Sequence, residues 1–229
     1  MTRLVVVTGG TKGVGAAIAR RFAEAGDEVV ALGHGDLDVT DEDAVADVLG
    51  PLAVDVLVNN AGVSSSTPVH RTTLVDWHRQ LEVNATGAFL CTRAVLTGMR
   101  ERDRGRIVTV ASTAALTGQR YTAGYAASKH AAVGLMRTVA TEVAGSGVTA
   151  NAVCPAFVRT DMTARTIRNV ASRTGQSEVD SEAALARLAP LGRLLEPAEV
   201  AFAVAFLAAP EAGAINGQTI VLDGGGVQA

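Results

Sequence analysis

The chain has 229 residues, 48% of them apolar and 19% charged, with a formal net charge of -3 and a pI near 5.8. That length accommodates one large α/β domain with a substantial core, and the lack of a basic field argues against nucleic acid as a main partner. Cys91 and Cys154 give neither a disulfide framework nor a metal-ligand spacing, and no apolar run reaches the roughly 20 residues that span a bilayer.

In chain order, the opening MTRLVVVTGG holds too short an apolar run for a signal peptide, so a cytoplasmic protein without membrane contact is expected. Its LVVVTG, at 4–9, predicts a strand, followed by a helix from about Val14 to Ala25 and a second strand over 28–33. Thr40 is the expected N-cap of a helix over 41–49, with Asp41, Glu42 and Asp43 favourably placed in its first turn. Strands are predicted at 54–59, 106–112, 148–154 and 219–223, and helices at 73–103 with a break, 123–145 and 197–209. Continuous Val-rich strands separated by helices indicate a parallel sheet covered on both faces, a doubly wound α/β fold. The segment from Phe157 to Pro190 is polar, carries helix-like fragments near 162–172 and 181–188, and reads as a lid or binding loop. Both cysteines read as buried small apolar residues. No repeat or linker divides the chain, so one domain over 1–229, with a substrate lid at about 156–190, is expected.

TGGTKGVG, residues 8–15, joins the first strand to the first helix. Gly9, Gly13 and Gly15 let the backbone turn tightly and approach a pyrophosphate, whose charge the helix N-terminus stabilises. A tight strand-to-helix loop would explain the glycines alone, but their place on the first strand of an alternating pattern favours a dinucleotide site. Tyr125 and Lys129, four apart in GYAASKHAA, share one helix face. A phenol that acts as acid or base needs its pKa brought down toward neutrality, and a neighbouring ammonium does that. A surface helix with one aromatic anchor would produce the same pair. Ser112 ends a strand thirteen residues earlier, where the carboxyl ends of parallel strands form the binding crevice. Asn84 lies in a helical stretch, LEVNATGAF, where Asn and Gly are poor interior residues.

These motifs together resemble the short-chain dehydrogenases/reductases. T-G-x-x-x-G-x-G is similar to that family's glycine pattern, NNAG at 59–62 to its motif after the fourth strand, and Asn84, Ser112 and Tyr125-x-x-x-Lys129 fall in the order and spacing of its catalytic tetrad. LGRLLEPAEVAFAVAFLA and INGQTIVLDGG are similar to its last helix and strand, so the likeness covers roughly residues 3–226. The resemblance implies a Rossmann fold and hydride transfer between nicotinamide and a carbonyl or alcohol carbon. Tyr125 would exchange the oxygen-bound proton, Ser112 hold the substrate oxygen, Lys129 hold the nicotinamide ribose, and Asn84 hold water in a proton relay. It further implies that Gly9, Thr11, Lys12, Gly13, Val14, Gly15, Gly33, His34, Asp38, Val39, Asn60, Ala61, Gly62, Tyr125, Lys129, Pro155, Ala156, Val158 and Thr160 contact the cofactor. The chain departs from the family at Pro155-Ala156, where Pro-Gly is usual; a positive φ there would penalise alanine.

The acid that selects NAD in many relatives would fall at about Gly33, which has no side chain, while Lys12 and His34 could approach a 2′-phosphate. NADP(H) is therefore favoured and NAD(H) possible if Asp36 swings back onto the ribose. Asp38-Val39 resembles the pair that packs beside adenine, yet only a few residues separate it from Gly33. A parallel crossover needs a dozen or more. The usual third-strand helical connection is therefore predicted to be missing, leaving a sheet of about six strands with residues 28–33 at one edge.

On the substrate side stand Ala114, Ala115, Leu116 and the loop from Phe157 to Leu188, an apolar pocket with adaptable walls. The run NAVCPAFVRTDM and the insert after it look most like the 3-oxoacyl thioester reductases, including polyketide ketoreductases, so a small-molecule or thioester carbonyl substrate is expected. Arg159, Arg165, Arg168 and Arg173 could meet phosphates of a carrier arm or coenzyme A, or form a solvated helix face. Rival readings are an NAD-dependent dehydrogenase of 3-hydroxyacyl-CoA or another secondary alcohol, and a non-catalytic nucleotide-binding regulator. Resemblance implies a homotetramer, and the small residues Ala126, Ala127, Ala131, Ala132 and Gly134 allow close helix pairing.

Overall fold

Alternation inside the Val-rich runs sets the architecture. In the computed structural model, which describes residues 2–228, strand β1 (Leu4–Thr8) sends Val5 and Val7 into one apolar cluster and Val6 into another. The same division recurs in β3 (Val56–Asn59), where Val56 and Val58 face one way and Leu57 the other. A strand buried on both faces needs apolar side chains at every position, which is why these runs do not alternate with polar residues. Each fully buried Val contributes roughly 1.5–3 kcal/mol relative to exposure.

The remaining strands are β2 (Glu28–Leu32), β4 (Gly105–Val110), β5 (Val148–Pro155) and β6 (Thr219–Leu222). All pair in parallel, in the order β2-β1-β3-β4-β5-β6. Helices α1 (Gly13–Glu24) and α8 (Pro197–Leu207) pack on each other and cover the Val5/Val7 face. The opposite face lies under α2 (Glu42–Leu49), α4 (Gly87–Glu101) and α5 (Ala123–Glu142). Strand order reverses between β1 and β3, and such a switch point opens a crevice at the carboxyl ends of the strands.

Six strands with β2 at one edge match the sequence-based expectation, as does the missing crossover. No helix lies between residues 34 and 39. Instead the chain folds down from β2, burying Leu37 and Val39 against Val6, Val45 and Leu57. Two local details differ from the sequence reading. Asp41 rather than Thr40 caps α2, its carboxylate accepting from the Ala44 amide at 3.0 Å, because Thr40 is engaged with Asp38 through a 2.8 Å hydroxyl bond. At Ala156 the expected penalty does not arise: the only non-glycine residues with positive φ among those described are Asp103 and Tyr121, and the Ala156 amide simply continues onto Leu222 O at 2.9 Å.

The long helical stretch is broken, as expected, and the structure places the interruption at residues 82–86. Helix α3 (Leu74–Leu81) passes into one π-helical turn, Glu82–Thr86, before α4 begins. A Cβ on Gly87 would stand 2.6 Å from Val39 Cγ2, so only glycine lets α4 meet the segment after β2 this closely. After β5 the polar stretch is helical, with α6 (Asp161–Thr174) and α7 (Glu178–Ala186) closing around Ile167, Leu185, Leu194 and Phe157. Both cysteines are buried, and burial pushes the Cys91 thiol up to about 12 and the Cys154 thiol up to about 11. Among the described residues no helix is long and apolar enough to cross a membrane.

Candidate active site

The crevice between β1 and β3 is lined by the glycine turn. Gly9 and Gly13 have φ of 62° and 53°, and a side chain on Gly15 would collide with the Gly9 carbonyl. The turn is held from behind by residues around NNAG. Thr8 Oγ1 accepts from the amides of Asn60 and Ala61 at 3.0 and 3.1 Å, and Asn60 Nδ2 donates to the carbonyls of Thr8 and Gly9 at 2.9 and 3.1 Å. Asn60 thus spends its amide on the scaffold, and Thr8, which the sequence reading passed over, ties the two strand ends together. Helix α1 starts at the turn with Lys12 as an exposed N-cap that makes no side-chain cap bond, which leaves the first-turn amides of the helix without a capping side chain. Thr160 caps α6 and stands against the same turn, since a Cβ on Gly13 would meet Thr160 Cγ2 at 3.3 Å. This cradle of close backbone and uncapped amides fits a pyrophosphate. Pro155 pairs with Leu222 at the end of β5, and Val158 is buried beside Leu195.

Around the adenosine end, His34 is exposed and follows Gly33 directly. Asp38 accepts from both the amide and the hydroxyl of Thr40 at 3.0 and 2.8 Å, and these bonds, the amide's first, hold its carboxyl below the usual carboxylate range. Val39 is buried beneath it.

Across the crevice stand four polar side chains from three elements. Ser112 follows β4, and its hydroxyl accepts from the Ala114 amide at 3.2 Å. It also stands close enough to the phenol of Tyr125, in the first turn of α5, to draw that phenol's pKa down. Lys129, one turn on and only 6% exposed, donates from Nζ to the Val110 carbonyl at 2.9 Å and sits 5.9 Å from the centre of the Tyr125 ring. Asn84, in the π turn and 2% exposed, accepts from the Val63 amide at 2.8 Å through Oδ1. Its Nδ2 donates to the Val63 carbonyl and to Ser128 Oγ, both at 2.9 Å. A single π turn is a common device for aiming a side chain at a functional site. Gly62 lies between two of these groups: a Cβ there would be 3.2 Å from Asn84 Oδ1 and 3.6 Å from Lys129 Nζ. Ser128, not singled out from the sequence although it sits inside the YAASK run, links Asn84 to the Tyr125 carbonyl, to which it donates at 2.8 Å.

The electrostatics differ from expectation in one respect. Burial pushes the Tyr125 phenol above its ordinary value, with the neighbouring Ser112 hydroxyl opposing it. Lys129 does not outweigh burial, because its ammonium is itself desolvated and its pKa falls from 10.5 to about 8. The cluster therefore holds a proton-bearing phenol and a lysine that gives up its charge near pH 8 rather than 10.5.

The site's mouth is built from converging loops. The Thr67 amide donates to the Tyr121 carbonyl at 2.7 Å, and Arg173, near the end of α6, reaches the Ser66 carbonyl at 3.3 Å. Tyr121 adopts φ of 68°, a strained conformation for a bulky residue, beside the turn that leads into α5. Of the arginines considered for phosphate binding, Arg159 is already paired with Glu182 at 2.9 Å and Glu196 at 3.0 Å, whereas Arg165, Arg168 and Arg173 are exposed.

A family model described as enoyl-(acyl carrier protein) reductase matches residues 34–226, which takes in the tetrad and the last strand. The chain belongs to the short-chain dehydrogenase/reductase family. Among its curated relatives, the 3-oxoacyl-[acyl-carrier-protein] reductase of Vibrio cholerae serotype O1 is 37% identical over 246 positions, covering 97% of this chain and 96% of that protein. The acetoacetyl-CoA reductase of Shinella zoogloeoides is 37% identical over 249 positions, covering 98% of each. These alignments are longer than the 229-residue chain, so the relatives carry residues that this short-chain dehydrogenase/reductase lacks. A variant of actinorhodin polyketide ketoreductase solved with NADPH superposes with a TM-score of 0.90 at 32% identity, covering 98% of this chain and 97% of that one.

Proposed function

We propose that the chain is an NADP-dependent carbonyl reductase whose substrate is a 3-oxoacyl thioester. The observation that carries this reading is the convergence of Ser112, Tyr125 and the buried Lys129, set across a crevice whose other wall is a glycine turn. A binding module would need the turn but not the phenol and the lysine. The cofactor choice is supported by the bare Gly33 position, by the exposed Lys12 and His34 at the crevice rim, and by the NADPH bound in the ketoreductase neighbour. The thioester is supported by the names of the two bacterial relatives.

When bound, the nicotinamide supplies a hydride to the carbonyl carbon. Ser112 donates a hydrogen bond to the carbonyl oxygen and polarises it. Tyr125 gives its phenolic proton to that oxygen as negative charge develops there, which places a general acid at hydrogen-bond distance from the reacting atom. A phenol held up by burial is fully protonated at neutral pH, the state reduction requires. Lys129 stabilises the phenolate left behind, holds the nicotinamide ribose, and returns a proton drawn from water near Asn84 Oδ1. Gly9, Thr11, Lys12, Gly13, Val14 and Gly15 hold the pyrophosphate and adenosine phosphates, Asp38 and Val39 flank adenine, and Ala61, Gly62, Pro155, Ala156, Val158 and Thr160 line the nicotinamide half. Helices α6 and α7, with the loops at 156–190, act as the substrate lid. The same reading makes the enzyme a cytoplasmic homotetramer, for which the small residues on α5 and the family's habit of pairing these helices are the support.

A panel of 3-oxoacyl thioesters, cyclic ketones and sugars, run with NADPH and NADH, tests it. The thioesters with NADPH are expected to give the highest kcat/KM. Binding of NADPH without turnover on any member would instead favour a regulatory nucleotide-binding role.

A further inference from the structure

The segment that leaves NNAG, residues 63–67, borders the mouth of the crevice and is gripped along its length. Asn84 takes both backbone groups of Val63: Oδ1 accepts from the amide at 2.8 Å and Nδ2 donates to the carbonyl at 2.9 Å. Gln80, four residues before Asn84 and only 3% exposed, takes Ser65 in the same manner. Its Oε1 accepts from the Ser65 amide at 3.1 Å, and its Nε2 donates to Ser65 Oγ at 3.0 Å and to the Asp76 carbonyl at 3.3 Å. Thr67 turns to the other side, its amide donating to the Tyr121 carbonyl at 2.7 Å. The two spacings agree. Alternate residues of an extended chain lie about 6.6 Å apart and residues four apart on a helix rise about 6 Å, so carboxamides one turn apart meet every second residue of a segment laid beside them.

Gln80 also reaches the helix that carries Tyr125. Gly124, buried in the first turn of α5, faces it so closely that a Cβ there would stand 2.6 Å from Gln80 Nε2 and 3.5 Å from the Trp77 Cα. The carboxamide is therefore wedged between Ser65 and the residue that precedes Tyr125. Both of its amide protons and its oxygen have partners, so the wedge has one defined orientation. We propose that Gln80 is a positioning residue for proton delivery: it fixes residues 63–67 and, through Gly124, sets where the first turn of α5 presents the Tyr125 phenol to the carbonyl oxygen. Gln80 acts through Tyr125 and has no direct part in the chemistry. This rests on the carbonyl-reductase reading above.

Two variants disturb the wedge from opposite sides. Gln80→Met keeps the length of the side chain and removes both bonds to Ser65, whereas Gly124→Ala keeps the carboxamide and drives a methyl group into its Nε2. For each, NADPH-binding sites are counted by dihydronicotinamide fluorescence, and kcat per site is measured on one 3-oxoacyl thioester in ordinary and heavy water. In both variants kcat per site is expected to fall roughly ten- to a hundredfold, the scale of a displacement of up to about 1 Å at a reacting group, while Kd for NADPH stays within about twofold of the parent's. The solvent isotope effect on kcat is expected to rise, because a misplaced phenol makes proton delivery a larger part of the barrier. A purely structural role would reduce the number of binding sites and leave the isotope effect per site unchanged. Either kcat per site within about twofold of the parent, or a fall in kcat with the parent's isotope effect, would overturn the proposal. Should Gln80→Met not fold, Gly124→Ala decides by the same criteria. Hydrogen exchange of the peptides spanning 63–67 and 121–126 gives a readout without turnover. Faster exchange in both segments is expected in each variant, and faster exchange in the first alone would show that the wedge does not reach α5 and would overturn the proposal. A parent that turns over no carbonyl compound would instead refute the reductase reading, so the two failures are separate results.

Discussion

Tyr125→Phe is expected to lower kcat by about a thousandfold, within the 10²–10⁴ range that a positioned general acid contributes, while Kd for NADPH changes little. The ring is retained, so packing in the first turn of α5 survives. What is lost is the phenolic proton, next to Ser112, that the proposed mechanism delivers to the carbonyl oxygen. Because a phenol makes its contribution as charge develops, the loss falls on kcat rather than on binding. Turnover within a few-fold of the parent would remove Tyr125 from the chemistry and leave Ser112, or water held by Asn84, as the proton source.

Lys129→Met is expected to cost at least about a hundredfold in kcat/KM, for the same class of proton-transfer reason, yet not to destabilise the fold at neutral pH. The folded pKa of Lys129 is lowered to about 8 from 10.5 by burial. Below pH 8 the lysine is protonated in folded and unfolded chains alike, and the folded protein bears the full desolvation cost, about 3 kcal/mol at 1.36 kcal/mol per pKa unit. Removing the charge relieves that cost, offset by about 1–3 kcal/mol for the Val110 carbonyl left without its donor. As pH rises from 8 toward 10.5 the unfolded chain binds more protons than the folded one, so the parent gains stability that the variant cannot. Thermal unfolding should therefore give a Tm for Lys129→Met at pH 7 no lower than the parent's, with the difference moving in the parent's favour toward pH 10.5. A variant Tm well below the parent's at pH 7, converging as pH rises, would contradict this account of a site that accepts instability for function.

How far these features were legible in the sequence depends on the range over which each is decided. Strands such as LVVVT are fixed by their own composition, since only a strand buried on both faces is apolar throughout. The missing crossover followed from the likeness of Asp38-Val39 to the family's adenine-side pair together with the few residues that separate it from Gly33, too few for any helix. Asn84 was visible as an ill-fitting helix residue, but its partners in the fold, the Val63 backbone and Ser128, are remote in sequence and could not be read from it. The pairing of Arg159 with Glu182 and Glu196 was hidden for the same reason, and those contacts remove it from the arginines free to meet a carrier phosphate. Tyr125 and Lys129 were read as a pair in which the ammonium governs the phenol. Spacing reveals that they are neighbours but not that both are desolvated, and desolvation sets the direction for each. At the cofactor rim the sequence offered Asp36 for the ribose and Asp38 for the adenine side, and only the folded-back hairpin shows that Asp36 reaches the Gly33 amide while Asp38 turns to Thr40.

The central claim is that this site moves a hydride from a nicotinamide to a carbonyl carbon while Tyr125 supplies the proton. Incubating the enzyme with a 3-oxoacyl thioester and NADPH deuterated at the transferable position of the dihydronicotinamide, then analysing the product by mass spectrometry, tests it most directly. The account predicts a 3-hydroxyacyl thioester carrying one deuterium at the carbinol carbon, formed by the parent and lost in step with activity in Tyr125→Phe. Product without deuterium at that carbon, or no product from an enzyme that binds NADPH, would contradict it.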